Sequence, residues 1–508
     1  MAFQQQAINA FSTKHLHADL RGRSVRGGML TLTSQGAQFL IQSVATVVLA
    51  RLLVPAEYGL VAMVTAITGL GQAFADLGLS EATIQHPEIS HEQVSTLFWI
   101  NVGIGAGLMS ITAALAPLLA WFYREPRLVN ITLVCSLTFL IGGLRVQHDA
   151  LLRRQMRFIS LAIRDVTSYA IAVPFAIVLA WRGASYWALV ALPLTLNFTG
   201  MAMTWLMARW VPGPPRRNAK VGSLISFGGS VAASYLILNV TRSADSILIG
   251  WHWGAGPLGL YSRAYNLLML PVRQLGAPAR AVAVPAFSRV QDDPERLARY
   301  YLRAVNVIMW VSAPIFGYLF VAADPVIVLT LGSRWREAAP VFQLLAIFAL
   351  GQLLMDATVW LFVSRGKSLR LLQMALVLAP IMIGSYALGL PFGIRYVALC
   401  SSIVLLLIFP GILKFSFRGT KITLRRLCQA IRYPVLLCLM GASSGQVALH
   451  YFAPRGAVAA LLVTALGFTL GSLLSLLLPQ MREDLVSLWS LLARSRSVPS
   501  ASLAEIVS

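Results

Sequence analysis

The sequence predicts an all-α polytopic membrane protein with about 14 transmembrane helices, arranged in two six-helix pseudo-repeat lobes plus an appended C-terminal pair. Hydrophobic residues make up 57% of the 508 residues, charged residues only 12%, and the mean hydropathy is +0.72. A soluble chain of this length divides into domains with polar surfaces, which this composition cannot supply. The same composition excludes a disordered chain, a collagen and a disulfide-rich secreted scaffold.

Apolar runs long enough to cross a bilayer recur along the whole chain. A helical span needs about 20 mostly apolar residues, and the connections between the runs are too short for a separate soluble domain. Residues 1–28 carry no signal-peptide cleavage pattern, so the first span is expected to be retained. The predicted spans start near Met29, Tyr58, Val94, Leu128, Leu161, Tyr186, Val221, Leu258, Leu302, Ala338, Leu369, Tyr396, Leu427 and Gly456.

Basic residues alternate between the predicted loops and indicate the orientation of the chain. The formal net charge is +22. With the N-terminus in the cytoplasm, 27 of the 41 Lys and Arg residues fall in cytoplasmic segments and eight in the opposite loops. This is the bias that the positive-inside rule describes. Both termini are therefore predicted to be cytoplasmic, and the positive charge is assigned to membrane topology rather than to nucleic acid binding.

A weak internal repeat divides the first twelve spans into two lobes. Tyr58-Gly59-Leu60 matches Leu258-Gly259-Leu260 at a shift of 200 residues, and Ala150–Arg157 after span four matches Leu361–Lys367 after span ten. Halves of six spans keep the same orientation, as parallel repeats require. The predicted organisation is a cytoplasmic segment (1–28), an N-lobe (29–210), a cytoplasmic linker (211–220), a C-lobe (221–420), an appended helix pair (421–479) and a cytoplasmic tail (480–508).

Polar side chains recur at helical spacing in spans one, two, seven and eight. Polar groups are costly in hydrocarbon, so four polar faces on repeat-related helices predict one water-filled cavity between the lobes. The alternative is interhelical hydrogen bonding that only holds the bundle together. The predicted substrate-binding residues are Gln35, Gln42, Gln72, Asn239, Arg242, Arg263, Asn266, Arg273 and Arg280.

The arginines within the spans indicate the charge of the substrate. One arginine at the bilayer centre costs about 2.5–3.5 kcal/mol on insertion scales, and a guanidinium binds phosphate through two parallel hydrogen bonds. An anionic, phosphorylated substrate is therefore predicted. Arg263 and Arg280 could instead reach an interface, whereas Arg273 lies mid-span. Arg242 precedes Asp245 by three residues, so a structural ion pair is the alternative for Arg242.

Carboxylates within the spans divide into two groups. Two of them have an arginine close in sequence, so structural pairing is favoured over a proton relay. The predicted pairs are Arg145–Asp149 and Arg164–Asp165. Asp76 and Asp356 have no such partner in sequence and are the candidates for coupling-ion sites.

Motifs of catalysis and cofactor binding are missing from the sequence, so no catalytic residue, metal site or cofactor is predicted. There is no Walker loop, no HExxH and no GxSxG. His86 and His91 are five residues apart, a poor spacing for a metal pair, and are expected in a solvated loop. The cysteines have no CxxC spacing, so free thiols are predicted at Cys135, Cys400, Cys428 and Cys438.

Six short segments, taken in order, carry a family resemblance. They are Val48–Ala62, Asp76–Ser80, Leu97–Asn101, Ala150–Phe158, Ala244–Gly250 and Gly259–Tyr265. Together they resemble bacterial polysaccharide flippases of the MOP superfamily, which includes Wzx-type and MATE-type carriers. The resemblance covers roughly residues 27–420 and is closest to the exopolysaccharide and colanic-acid-exporter branch.

The resemblance implies a V-shaped two-lobe carrier in the bacterial inner membrane. Such a carrier moves an undecaprenyl-diphosphate-linked oligosaccharide to the periplasmic leaflet by alternating access, for exopolysaccharide or lipopolysaccharide biosynthesis, and makes or breaks no bond. Its expected partners are membrane lipids and a polymerase and co-polymerase of the same pathway. One alternative is a MATE-like antiporter, although its cationic substrates favour a carboxylate-rich cavity. A polysaccharide polymerase or glycosyltransferase is the other, and it would need an external catalytic loop.

Overall fold

Helices account for all the regular secondary structure that the structure describes. The computed structural model describes residues 20–72, 79–85, 89–215, 239–452 and 454–486, and every regular element in these ranges is a helix. The predicted all-α class is therefore confirmed. The four cysteines are free thiols, as the sequence predicts.

Within the described residues, eight helices precede residue 209. Local sequence signals set some of their ends. Ser90, for example, precedes α4 and forms a capping box with Gln93, in which each side chain bonds to the other residue's backbone N–H. The helices are α1 (Leu20–Leu52), α2 (Pro55–Gln72), α3 (Leu79–Gln85), α4 (His91–Ala114), α5 (Ala116–Tyr123), α6 (Leu128–Arg154), α7 (Phe158–Trp181) and α8 (Trp187–Ala208).

The second half continues with ten α-helices within the described residues. Asp293 caps the start of α11 by accepting hydrogen bonds from the N–H groups of Glu295 and Arg296, and Pro294 follows it in the first turn. Two short 3-10 helices, Ser333–Ala338 and Leu390–Phe392, lie between the α-helices. The α-helices are α9 (239–253), α10 (Ala255–Arg289), α11 (Pro294–Val321), α12 (Ala323–Thr330), α13 (Ala339–Ser364), α14 (Ser368–Gly389), α15 (Ile394–Ser416), α16 (Leu424–Phe452), α17 (Ala457–Ser475) and α18 (479–486).

Ten of the described helices are long and apolar enough to cross a membrane, which makes the chain a multi-pass membrane protein. They are α4, α6, α7, α8, α11, α13 to α17. The other four predicted spans fall on α1, α2, α9 and α10, and the start of α9's predicted span, near Val221, lies outside the described residues. These four are the helices for which the sequence predicts polar faces. The count of fourteen and the orientation of the termini stay predictions.

The chain forms two compact units. The first contains residues 1–262 with 378–390, and within it α4 packs against α6, α7 against α8, and α1 against α7. The second contains residues 263–377 with 391–508, and within it α11 packs against α13 and α16. The appended pair α16 and α17 packs together and joins this second unit. The division falls inside α10, whereas the sequence places a linker at 211–220, and the predicted lobe bounds stay a prediction.

Candidate functional site

Helix α10 carries an exposed polar stripe beside its buried apolar residues. Asn266, Arg273 and Arg280 follow one another at intervals of seven residues, which is two helical turns, and all three are exposed. Buried apolar residues such as Met269 and Val272 lie on another side of the helix, and near its end Ala283 and Phe287 belong to the hydrophobic core of the second unit. Arg263, the fourth predicted position on α10, is half-buried.

Arg273 lies near the middle of α10, and this position bears on what the stripe faces. At 1.5 Å per residue the helix is about 52 Å long, and Arg273 lies about 27 Å from its start. If α10 crosses the bilayer as the sequence predicts, a side chain at that position cannot reach an interface cheaply. An exposed guanidinium there faces either lipid, at the cost given above, or water. Because Asn266 and Arg280 share its face, the arrangement favours an aqueous surface with two cations about 10 Å apart along the helix.

The predicted polar residues of the first unit are also accessible. Gln35 and Gln42 are exposed on α1, Gln72 is exposed at the end of α2, and Arg242 is exposed on α9. Asn239, one turn before Arg242, is half-buried. Each unit thus presents polar side chains of the predicted set, and their common role in substrate binding stays a prediction.

The buried carboxylate of Asp245 obtains its hydrogen bonds from neutral groups. Tyr261 donates its hydroxyl to Oδ2 at 2.9 Å, and the backbone N–H of Ser246 donates to Oδ1 at 2.5 Å. Asp245 is 3% exposed and Tyr261 1%. Sequence spacing suggested Arg242 as the partner because it is three residues away, whereas Tyr261 is sixteen residues away on the next helix.

Of the two carboxylates predicted as coupling-ion sites, the structure describes one. Asp356 lies half-buried on α13 and accepts a hydrogen bond from Gln352 Nε2 at 3.1 Å, an amide neighbour one turn earlier. Asp76 lies outside the described residues. Within the described ranges, no group of three or more His, Cys, Asp or Glu side chains could hold a metal ion. An ion-coupling role for either aspartate stays a prediction.

A buried network of charges joins α6, α7 and α8 in the first unit. Both predicted pairs are confirmed, with Arg145 Nε 2.9 Å from Asp149 Oδ2 and Arg164 Nη2 2.5 Å from Asp165 Oδ1. Arg164 also bonds Asp149, and Thr204 Oγ1 donates to the same carboxylate at 3.2 Å. Arg164 is only 4% exposed, and each carboxylate of the network is paired with a guanidinium. We therefore interpret the network as structural, because it links α6, α7 and α8.

Replacing Arg164 by methionine should destabilise the first unit strongly. Removing one partner of a buried ion pair leaves an uncompensated charge, which costs about 3–5 kcal/mol. We expect a lower melting temperature of the purified protein and less protein in the membrane. Arg153→Met on α6 removes an exposed cation and is the matched control. Equal melting temperatures for the two variants would contradict the structural role of the network.

The start of the predicted linker is anchored to the first unit by aromatic side chains. Trp210 Nε1 donates to His91 Nδ1 at 3.0 Å, and the Trp210 carbonyl oxygen lies 3.1 Å from His148 Nε2. Trp99 Nε1 donates to the Gly213 carbonyl at 2.8 Å. The expectation of a solvated loop is therefore wrong for His91, because His91 begins α4 and bonds a residue 119 positions away. His86 lies outside the described residues.

Two repeat-related glycines make a reciprocal backbone contact between α2 and α10. A Cβ atom on Gly59 would lie 1.7 Å from the carbonyl oxygen of Ala255, and one on Gly259 would lie 1.8 Å from that of Pro55. Pro55 and Ala255 are themselves 200 residues apart, like the glycines. Such an exchange of equivalent partners is what a local two-fold relation produces. It supports the sequence repeat, and superposition of the complete six-span halves stays a prediction.

Comparison with known proteins places this geometry in a family. A family model described as polysaccharide biosynthesis protein matches residues 48–340, more than half of the chain. The teichuronic acid biosynthesis protein TuaB of Bacillus subtilis is 25% identical over 303 residues, which are 59% of this chain and 63% of that protein. The lipopolysaccharide biosynthesis protein WzxC of Escherichia coli is 26% identical over 60% of this chain and 62% of its own length. The match thus spans less than two thirds of these curated relatives.

Solved structures agree on the fold. The lipid II flippase MurJ in an inward closed conformation matches with a TM-score of 0.68 and 12% identity, over 89% of this chain and 98% of that one. An inward-facing MATE family transporter of the MOP superfamily matches with a TM-score of 0.53 and 12% identity, over 75% and 94%. At this identity the likeness shows the shared fold of these membrane proteins and does not choose between their functions.

Proposed function

Since this chain belongs to the polysaccharide biosynthesis protein family, we propose that it moves an undecaprenyl-diphosphate-linked oligosaccharide across the bacterial inner membrane. The lipid-linked sugar passes from the cytoplasmic to the periplasmic leaflet for exopolysaccharide or lipopolysaccharide biosynthesis. Transport proceeds by alternating access of a polar cavity, and no covalent bond is made or broken. The names of relatives agree with this proposal, among them the succinoglycan biosynthesis transport protein ExoT of Rhizobium meliloti, 26% identical over 62% of this chain and 64% of its own length.

The exposed stripe on α10 is the observation that carries the proposal. Arg273 and Arg280 offer fixed positive charge on a face that also holds Asn266. Guanidinium groups match the oxygens of a diphosphate in both charge and geometry. An amide on the same face suits the hydroxyl groups of a sugar. The stripe therefore provides the chemistry that a lipid-linked diphosphate sugar needs.

The same stripe argues against the MATE-like alternative. A carrier of small organic cations needs carboxylates or aromatic faces in its binding region. The exposed side chains predicted to line the cavity are arginines and amides, and Asp149, Asp165 and Asp245 of the first unit are bonded within the protein. A polymerase or glycosyltransferase would in addition need an extramembrane catalytic segment, which the sequence does not predict.

Lipid analysis of a deletion strain tests the proposed function directly. We expect undecaprenyl-diphosphate-linked repeat units to accumulate when the gene is removed, and to return to normal when the wild-type gene is restored. Extracted lipids are measured by mass spectrometry beside the secreted polysaccharide. Unchanged lipid-linked intermediates together with lost export of a cationic drug would instead support the MATE-like antiporter.

The pathway partners follow from the same proposal. The flipped oligosaccharide must be handed to enzymes that extend it, so a polymerase and a co-polymerase are the expected neighbours in the membrane. Cross-linking of the tagged chain in living cells, followed by mass spectrometry of captured membrane proteins, measures this contact. Capture of neither protein in cells that make the polysaccharide would remove this part of the proposal.

A further inference from the structure

Three basic residues of the second unit gather at one end of the apolar helices. Arg365 and Lys367 lie in the turn between α13 and α14, and Arg370 lies in the first turn of α14. They face the turn that follows α15, which contains Gly419. Because α13, α14 and α15 are all candidate membrane spans, the ends of these helices lie at the level of the lipid headgroups.

These three residues, named here the cation cluster, lie close together, and hydrogen bonds to backbone carbonyls hold the two arginines. Arg365 Nη2 donates to the Gly419 carbonyl at 2.9 Å, and Arg370 Nη1 donates to the Arg418 carbonyl at 3.1 Å. Lys367 Nζ lies 4.0 Å from the position that a Cβ on Gly419 would occupy, and Arg365 Nη2 lies 3.5 Å from it. All three side chains are half-buried, so their charges are only partly screened by water.

The cation cluster has no acidic counterpart in the described part of the chain. The ion pairs of the second unit within the described residues use Arg336 and Arg426, and none reaches the cluster. Burial, followed by the charges of Arg365 and Arg370, lowers the pKa of Lys367. Like charges held together in a partly buried place repel one another, and an anion beside them would remove this cost.

The repeat-related turn of the first unit shows that the fold does not require this crowding. Met156 has a φ of 53° where the aligned Gly366 has 63°, so the two turns share their backbone form. In the first unit, however, Arg154 bonds the Thr83 carbonyl at 3.0 Å and Arg157 bonds the Met207 carbonyl at 2.9 Å. Those cations use separate carbonyls on different helices, whereas the cation cluster converges on residues 418 and 419.

We propose that the cation cluster binds the phosphodiester headgroup of an anionic phospholipid. Two guanidinium groups and one ammonium group on one small surface provide several donors for phosphate oxygens. Their place at the helix ends brings them to the headgroups of the adjoining leaflet, where basic residues attract anionic lipids. The site is separate from the stripe on α10, and it does not depend on the substrate of the carrier.

Chemical labelling of the wild-type chain tests the site without any mutation. The full chain is reconstituted in nanodiscs of phosphatidylcholine, with or without phosphatidylglycerol, and its lysines are acetylated and quantified by mass spectrometry. A bound phosphate raises the pKa of Lys367, so phosphatidylglycerol should slow its acetylation at least about threefold, the effect of half a pKa unit. Exposed Lys414 and Lys421 serve as internal references. Equal slowing by free sodium phosphate in neutral discs would overturn the assignment to a lipid.

Charge reversal then tests the residue itself. Lys367→Glu should weaken phosphatidylglycerol adducts of the intact protein about tenfold or more in native mass spectrometry, since each basic side chain near a membrane adds attraction to anionic lipid. Arg299→Glu reverses an exposed charge on α11 of the same unit and is the control. Two results would overturn the proposal: Lys367→Glu that keeps as many phosphatidylglycerol adducts as the wild type, or Arg299→Glu that loses as many as Lys367→Glu. Either would mean that the lipid responds to general surface charge and not to the cation cluster.

Discussion

Arg273→Ala should abolish polysaccharide export while the amount of protein in the membrane stays normal. The side chain is exposed and lies mid-way along α10, away from the core that holds the helix in place. Folding therefore does not need it, whereas a lipid-linked diphosphate would lose a bidentate, charge-assisted contact. Such hydrogen bonds contribute about 1.5–3 kcal/mol each, so loss of two lowers transport by about 100-fold or more. Secreted polysaccharide and immunoblotted membrane protein are measured together.

Three further variants make this result specific. Arg273→Lys should restore export only in part, because an ammonium is a point charge without the planar fork of a guanidinium. Arg289→Ala removes an exposed arginine from the last turn of α10 and should export normally. Arg242→Ala tests another arginine that is predicted to bind the substrate, on α9. Full export by Arg273→Ala at normal expression would indicate a lipid-facing or helix-packing role and would remove the reason to place the phosphate there.

The stripe on α10 could be predicted from the sequence because its position on one helix face depends only on the spacing of residues along that helix. A seven-residue interval between Asn266, Arg273 and Arg280 puts them on one helix face in any straight helix. Apolar residues between them, such as Met269 and Val272, then face the protein. The ion pair between Arg145 and Asp149 was predictable for the same reason, since four residues make one helical turn.

Contacts between distant segments cannot be predicted from the spacing of residues along one helix. Asp245 bonds Tyr261 on the following helix, and Arg164 bonds Asp149 on the preceding one, because helix packing rather than spacing brings them together. Trp210 anchors the linker through His91, a contact between residues 119 positions apart. The sequence alone does not indicate which partner an indole or an imidazole will contact. Only the packing of α4, α6 and α8 supplies that information.

The glycines at the starts of α2 and α10 give the second large expected effect. Gly259→Ala places a methyl group 1.8 Å from the Pro55 carbonyl oxygen and 2.6 Å from its carbon, both of them backbone atoms that cannot rotate away. The two helix starts must separate to accommodate it, at a cost of about 1–3 kcal/mol for overpacking. All four residues belong to the first unit, so this contact fixes the start of α10 against the start of α2 within that unit. A cost of this size lowers the population of this packing arrangement about 5- to 150-fold relative to arrangements in which the two helix starts are apart.

We therefore expect Gly259→Ala to lower export at least tenfold, with normal protein in the membrane, because the clash is confined to the starts of two helices and displaces α10, which carries the stripe. Gly59→Ala should behave alike, since the contact is reciprocal and its Cβ would lie 1.7 Å from the Ala255 carbonyl oxygen. Gly256→Ala is the matched control, as a Cβ at that position of the same helix meets nothing within 4 Å. Export and membrane protein are measured for all three. Normal export by Gly59→Ala and Gly259→Ala would mean that the contact is dispensable, whereas a loss shared with Gly256→Ala would trace the defect to the helix start itself.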